Sequence, residues 1–141
     1  IVAATPKAYV FTEFELISLA VGFAWAGRND ADILSVLKPA IMAKLSTFTT
    51  QSISRLAWAF AKAGRGDTEL FDVIAWALVT QSRYLKEDDI SNIAWSFTKV
   101  GRNDAQVFDM LARAVSAHGQ IQSYKGISLA NIACAFAKAG R

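Results

Sequence analysis

Three polar side chains, Arg55, Asn92 and Asn131, each lie nine residues before a glycine that is followed by arginine. Guanidinium and carboxamide groups are the side chains that reach nucleobase edges through two hydrogen bonds at once. Ser52, Asp89 and Ser128 lie three residues earlier and add a second donor or acceptor, and Lys62, Lys99 and Lys138 lie two before the glycine. A cation held at a constant place suits phosphate, whereas a changing polar group suits a base. Ala59, Ser96 and Ala135, five before the glycine, are small enough to let a base approach. At about 100° per residue these four positions form one stripe of a helix. The spacing therefore predicts that Arg55, Asn92 and Asn131 contact successive bases, assisted by Ser52, Asp89 and Ser128, while the lysines hold the backbone. A plainer role fits the same residues. The asparagines suit the first turns of a helix facing water, and the lysines suit the negative end of a helix dipole.

The elements that would carry this stripe are written four times. "LAVGFAWAGRND", "LAWAFAKAGRGD", "IAWSFTKVGRND" and "IACAFAKAGR" end on Gly27, Gly64, Gly101 and Gly140, spaced 37, 37 and 39 residues apart. Periods of this length belong to helical repeats. Eleven before each glycine stand Leu16, Ile53, Ile90 and Leu129, and eight before stand Leu19, Leu56, Ile93 and Ile132. Alanine is always seven before (Ala20, Ala57, Ala94, Ala133) and phenylalanine always four before (Phe23, Phe60, Phe97, Phe136). Those spacings define one apolar helical face. The alanine predicts a close helix approach and the phenylalanine a ring filling the groove beside it.

The glycine closes this first helix in the left-handed conformation, and Asp30, Asp67 and Asp104 are placed to cap the next. A second helix follows with Leu34, Leu37 and Ile41, then Phe71, Ile74 and Leu78, then Phe108, Leu111 and Val115 on one face. Pro39 predicts a break or kink in the first of these. The stretch "HGQIQSYKG" holds the two extra residues and is expected to be a flexible loop. Trp58 and Trp95, six before the glycine, are read as packing against the adjoining repeat, and Cys134 in the same slot as a small core residue.

A hairpin this short cannot bury its own apolar face, so the expected fold is all-α, an α-solenoid of stacked helix-turn-helix repeats of about 37 residues. The organisation read from the register is a lead-in over 1–12, a degenerate repeat over 13–48, repeats over 49–85 and 86–124, and the first helix of a fourth over 125–141. The chain stops midway through a repeat, so the array is expected to continue in a longer protein.

The wording of the first helix, "SISRLAWAFAKAG", "DISNIAWSFTKVG" and "SLANIACAFAKAG", resembles the octotricopeptide and heptatricopeptide repeats, the 37-residue spacing being closer to the latter. Such repeats occur in organellar proteins of algae, apicomplexans and their relatives, often upstream of a RAP domain, which this chain does not show. The likeness covers about residues 13 to 141. Val21, Gly22 and Trp25 depart from it in the first copy. The resemblance implies sequence-selective binding of single-stranded RNA or ribosomal RNA in a mitochondrion or plastid, serving RNA maturation, translation or ribosome assembly.

Bulk composition is compatible with this and narrower in what it excludes. Fifteen basic against twelve acidic residues leave a charge of +3, which permits an anionic partner without demanding one. More than half the residues are apolar, too many for a disordered chain. The single cysteine excludes an internal disulfide and points to a reducing or organellar interior. No uncharged run approaches the roughly 20 residues of a membrane span.

No enzyme, metal or cofactor is expected. His118 has no neighbouring Cys or His, and Glu87, Asp88 and Asp89 begin a helix, where its dipole explains them. "AGRGD" lacks the spacing of a phosphate-binding loop, and no small-molecule substrate is indicated. Arg28, Arg65, Arg102 and Arg141, directly after each glycine, suit phosphate, or better a neighbouring repeat's acidic side chain. The rival to an RNA reader is a scaffold that uses the same surface to hold other proteins of a large assembly.

Overall fold

The apolar rows fold into helices wherever they recur. The computed structural model describes residues 9–27, 31–81, 84–119 and 121–141, with Ala31, Asp32 and His118 described by their backbone alone. In chain order the helices are α1 (Glu13–Trp25), α2 (Ala31–Lys44), α3 (Thr50–Lys62), α4 (Thr68–Gln81), α5 (Glu87–Lys99), α6 (Ala105–His118) and α7 (Gly126–Lys138). Short 3-10 turns at Leu45–Thr47 and Ile121–Ser123 precede α3 and α7. There is no strand among the described residues, so the chain is all-α.

Two layers result. The most extensive packing is between successive first helices, α1 on α3, α3 on α5 and α5 on α7, while α2, α4 and α6 form a thinner second layer. Ala20, Ala57 and Ala94 are fully buried where the first helices approach one another. Phe97 meets Phe71 of the preceding hairpin edge to face at 5.4 Å, and Phe136 meets Phe108 the same way. The phenylalanine row thus belongs to the joint between hairpins. Burying each such ring is worth about 1.5–3 kcal/mol.

The turns follow from local chemistry. Gly27, Gly64, Gly101 and Gly140 all have φ between +63° and +75°. Behind three of them the next amide, of Arg65, Arg102 or Arg141, donates to the carbonyl of Phe60, Phe97 or Phe136 at 2.8–2.9 Å. This is the Schellman closure, which needs a residue without a Cβ penalty at positive φ. Asp67 then caps α4, its Oδ1 accepting from the Leu70 amide at 2.9 Å. Asp104 sits at the same position before α6, but its carboxylate is drawn to Arg102 and makes no cap bond. Asp30 and Arg28 lie outside the described residues.

Three expectations are corrected. The helix containing Pro39 is not broken and runs on to Lys44. The segment after His118 is not a bare loop. Gly119 ends α6 at φ +65°, and a 3-10 turn leads to Tyr124, which is buried. Cys134 is exposed rather than in the core. A further apolar row went unread in the sequence. Phe48, Leu85 and Tyr124, all buried, lie directly before the N-caps of α3, α5 and α7. This is the staple position that fixes the angle at which a chain enters a helix.

Hairpins are also fastened at both ends by polar groups. Glu13 accepts from the Thr49 amide at 2.9 Å and Glu87 from the Lys125 amide at 2.6 Å, so a carboxylate of one hairpin satisfies an N-cap of the next. At the other end Arg102 reaches back to Asp72, Arg141 to Asp109, and Lys38 forward to Asp67. The Leu70 amide and then Lys38 hold the Asp67 carboxyl below its ordinary pKa.

One joint is matched in size. A Cβ on Gly66 would stand 2.9 Å from Cβ and Cγ1 of Val100. In the following joint the equivalent pair is Asn103 and Ala139, and the larger partner is on the other side, with Asn103 Nδ2 donating to the Ala139 carbonyl at 3.0 Å. Gly66→Asn is therefore expected to lower the melting temperature, by about 1–3 kcal/mol of overpacking, and Val100→Ala in the same chain to restore most of the loss. Equal melting of the single and double variants would disprove this coupling. A carboxyl with a depressed folded pKa stabilises above its unfolded value and ceases to as pH falls through the depressed one. Melting temperature should accordingly hold steady from pH 7 to about 5 and fall below about 4, the ordinary aspartate range. Asp67→Asn, which can still cap, should flatten that acid fall, as thermal melts across pH would show.

Candidate nucleic-acid interface

One face of the first-helix layer gathers the residues read from the sequence, though not all of them. Lys62, Lys99 and Lys138 are exposed on α3, α5 and α7, as is Arg55 on α3. Asn92 and Asn131 are half-buried on α5 and α7. The three lysines have no ion pair among the described residues, and the Arg55 and Asn92 side chains have no hydrogen-bond partner there. Asn131 Nδ2 donates to Ser91 Oγ of α5 at 3.2 Å, which fixes the amide plane. These six side chains come from equivalent places on parallel rows, so the helices present them as a ladder.

The remaining members of the predicted stripe turn inward. Asp89 is buried, its Oδ2 accepting from the Lys86 amide at 3.1 Å and its Oδ1 from Ser54 Oγ of α3 at 3.1 Å. Ser128 is buried as well. Ser52 is half-buried at the start of α3, where its amide and hydroxyl both contact Thr49 Oγ1. Asp89 and Ser128 are thus not displayed to a base, while Ser52 keeps part of its surface, like Asn92 and Asn131. Ala59, Ser96 and Ala135 are sealed in the same way, at 0–1 % exposure. Ala59 and Ser96 lie against a neighbouring helix rather than open to a ligand. The acidic run before α5 is used up in the same fastening, with Asp88 paired to the Lys125 ammonium at 3.1 Å.

What occupies the face instead is a tryptophan row. Trp25, Trp58 and Trp95 stand in line across α1, α3 and α5, their ring centroids 5.1 and 6.3 Å apart. Trp25 is 69 % exposed and the other two are half-buried. Lys62 Nζ lies 5.3 Å from the Trp25 ring and 5.5 Å from Trp58, a cation over two aromatic faces. The signal was present in the sequence: positions nine, six and two before the glycine share a face just as nine, five and two do. The row does pack ring to ring between hairpins, yet it does so at the surface.

Past Trp95 the row is interrupted, since Cys134 fills the slot where Trp58 and Trp95 stand in the two preceding hairpins. A groove of about 210 Å³ opens there, lined by Trp95, Lys99, Asn131, Cys134 and Lys138, with Thr98 and Ala135 also in its wall.

The loop arginines divide. Arg102 is held by Asp104 at 2.7 Å and by Asp72 at 2.7 Å, bonds that outweigh its burial and raise its pKa, the Asp104 bond most. Arg141 is held by Asp109 at 2.7 Å. Arg65 forms no ion pair among the described residues, because Ser35 stands where Asp72 and Asp109 stand in the later hairpins. Two of these arginines thus tie hairpins together, and their guanidinium groups are already engaged.

Cations beside aromatic rings and carboxamides are the groups that single-strand nucleic-acid sites use. Residues 26–141 match the profile of the RNA-editing substrate-binding complex 6 protein family. The chain belongs to that family. Among curated proteins none matches the chain. The family's description names a complex that binds substrates of RNA editing, and most of this chain, from the end of α1 through α7, lies within the match.

The inward placement of Asp89 has a measurable consequence. Asp89→Ala should destabilise the fold by about 1–3 kcal/mol, the cost of orphaning the Lys86 amide, while the Ser54 hydroxyl keeps the Gln51 carbonyl. RNA affinity should stay within about twofold of wild type. A large affinity loss with unchanged melting would return Asp89 to the binding surface.

Proposed function

We propose that this chain is a single-stranded-RNA-binding segment of an α-solenoid, acting within a mitochondrial RNA-editing substrate-binding complex by holding RNA rather than by catalysis. The observation that carries this reading is the face itself. Lys62, Lys99 and Lys138 stand in line with no acidic partner among the described residues, beside Arg55, Asn92 and Asn131. The family description supplies the setting, since it names a complex defined by its RNA substrates. Editing of that kind favours the mitochondrion over the plastid, and RNA processing over translation or ribosome assembly. We further propose that the hairpins are repeats of the octotricopeptide and heptatricopeptide kind. What supports this is the shared wording of α3, α5 and α7 and their steps of 37 and 39 residues. On this reading Arg55, Asn92 and Asn131 select among bases, the lysines engage phosphates, and Arg65 adds a cation at the turn.

The scaffold is the second reading, since the family's description names a complex in which the same surface could hold other proteins.

The test is RNA affinity against salt. Each phosphate contact on a single strand contributes about 0.7 to the slope of log K against log salt. Replacing Lys62, Lys99 and Lys138 by alanine together is expected to reduce that slope by about 2. An unchanged slope would remove the lysines from the interface. Copurification of protein partners that survives nuclease would favour the scaffold.

A further inference from the structure

We propose that the groove between Trp95 and Cys134 is a slot for one unpaired nucleobase, which stacks on Trp95 and presents its edge to Asn131. The proposal rests on the RNA-binding reading and locates a subsite within it.

The slot exists because a repeating ring is left out. Trp58 and Trp95 both stand six before their glycines with ring centroids 6.3 Å apart, and the same position on α7 is 134. A cysteine there removes that ring and leaves about 210 Å³ open beside the free side of Trp95. The groove borders the Trp95 indole, a plane on which a base can stack. Stacking on tryptophan accepts any base, because every base has a π-face.

The walls add the rest of what a nucleotide needs. Lys99 and Lys138 stand on either side of the groove, from α5 and α7, and neither is paired with an acid among the described residues. They supply cations for the flanking phosphates. Asn131 lines the groove with its Nδ2 held by Ser91, so that Oδ1 has no protein partner among the described residues. An amide held at one end and open at the other is oriented to meet a base edge. The corresponding joint between α3 and α5 differs, because there the rings of Trp58 and Trp95 already occupy each other's faces. The opening that borders an indole face and Asn131 thus lies at the joint where the row is interrupted.

The chain's single thiol reports on this slot directly. Cys134 is exposed, so a small disulfide reagent should modify it readily in the free protein. A single-stranded RNA decamer is expected to slow that modification about tenfold at saturation. An abasic ribose-phosphate decamer of the same charge should bind through the lysines and leave the thiol open. Cys134→Trp restores the ring found in the two preceding hairpins and should keep or raise the melting temperature. It should also lower RNA affinity about tenfold, within the range for loss of one stacked base. Asn131→Ala, a milder change, should reduce discrimination between decamers of different base while the salt dependence stays as in wild type. Equal protection of the thiol by both decamers, or none by either while both bind, would overturn the slot and leave the lysine face intact. Failure of both decamers to bind would overturn the RNA reading itself, and the slot with it.

Discussion

A hairpin of two helices, each 13 or 14 residues long, carries more apolar surface than its own two helices can cover. Everything else in this molecule follows from hiding that excess against the next hairpin. Burial is complete at Leu56, Ala57, Ile93, Ala94 and Phe97, in the middle of the first-helix layer. Alanine seven before the glycine sets how closely the helices approach, and phenylalanine four before it spans the joint to the preceding second helix. The function proposed above depends on that regularity, because only parallel, evenly spaced helices put one side chain from each on a common line.

Polar groups refine the stacking without driving it. Surface ion pairs are individually worth about 0–1 kcal/mol, so Arg102–Asp72 and Arg141–Asp109 do not hold the layers together against solvent. Their effect is on register: each spans one joint and tolerates little sliding. The N-cap bonds from Glu13 and Glu87 do more, since they satisfy amides that a helix start leaves without partners. Where hairpin three lacks such an acceptor from its predecessor, with Thr50 in place of Glu, Asp89 of its own helix accepts from the Lys86 amide instead. That substitution explains why a residue with the spacing of a base contact is buried.

Most of the fold was legible in the chain because helical repeats declare themselves several times over. Leu, Ala and Phe rows at fixed distances from glycine gave helix positions and the buried face, and the positive φ at those glycines followed from the need to end a helix in a tight turn. Pro39 misled because a single proline within an apolar helix is outweighed by the packing of Leu34, Leu37 and Ile41 around it. The staple row of Phe48, Leu85 and Tyr124 was overlooked since it falls before the helix, outside its periodicity. The match between Gly66 and Val100 could not be read at all, because it pairs two residues that belong to different turns.

The candidate site was legible only to within one helical step. Positions five and six before the glycine each complete a 3–4 spacing with nine and two, yet they point about 100° apart. By itself the sequence determined that a constant lysine, a variable polar group and a glycine-closed helix recur, since these are local and periodic. Which of the two neighbouring columns faces outward was decided by the adjacent first helix, which covers Ala59, Ser96 and Ala135 and leaves the tryptophan row in view. A helix's period fixes the angles among its own side chains, but only a second helix lying against it distinguishes inside from outside.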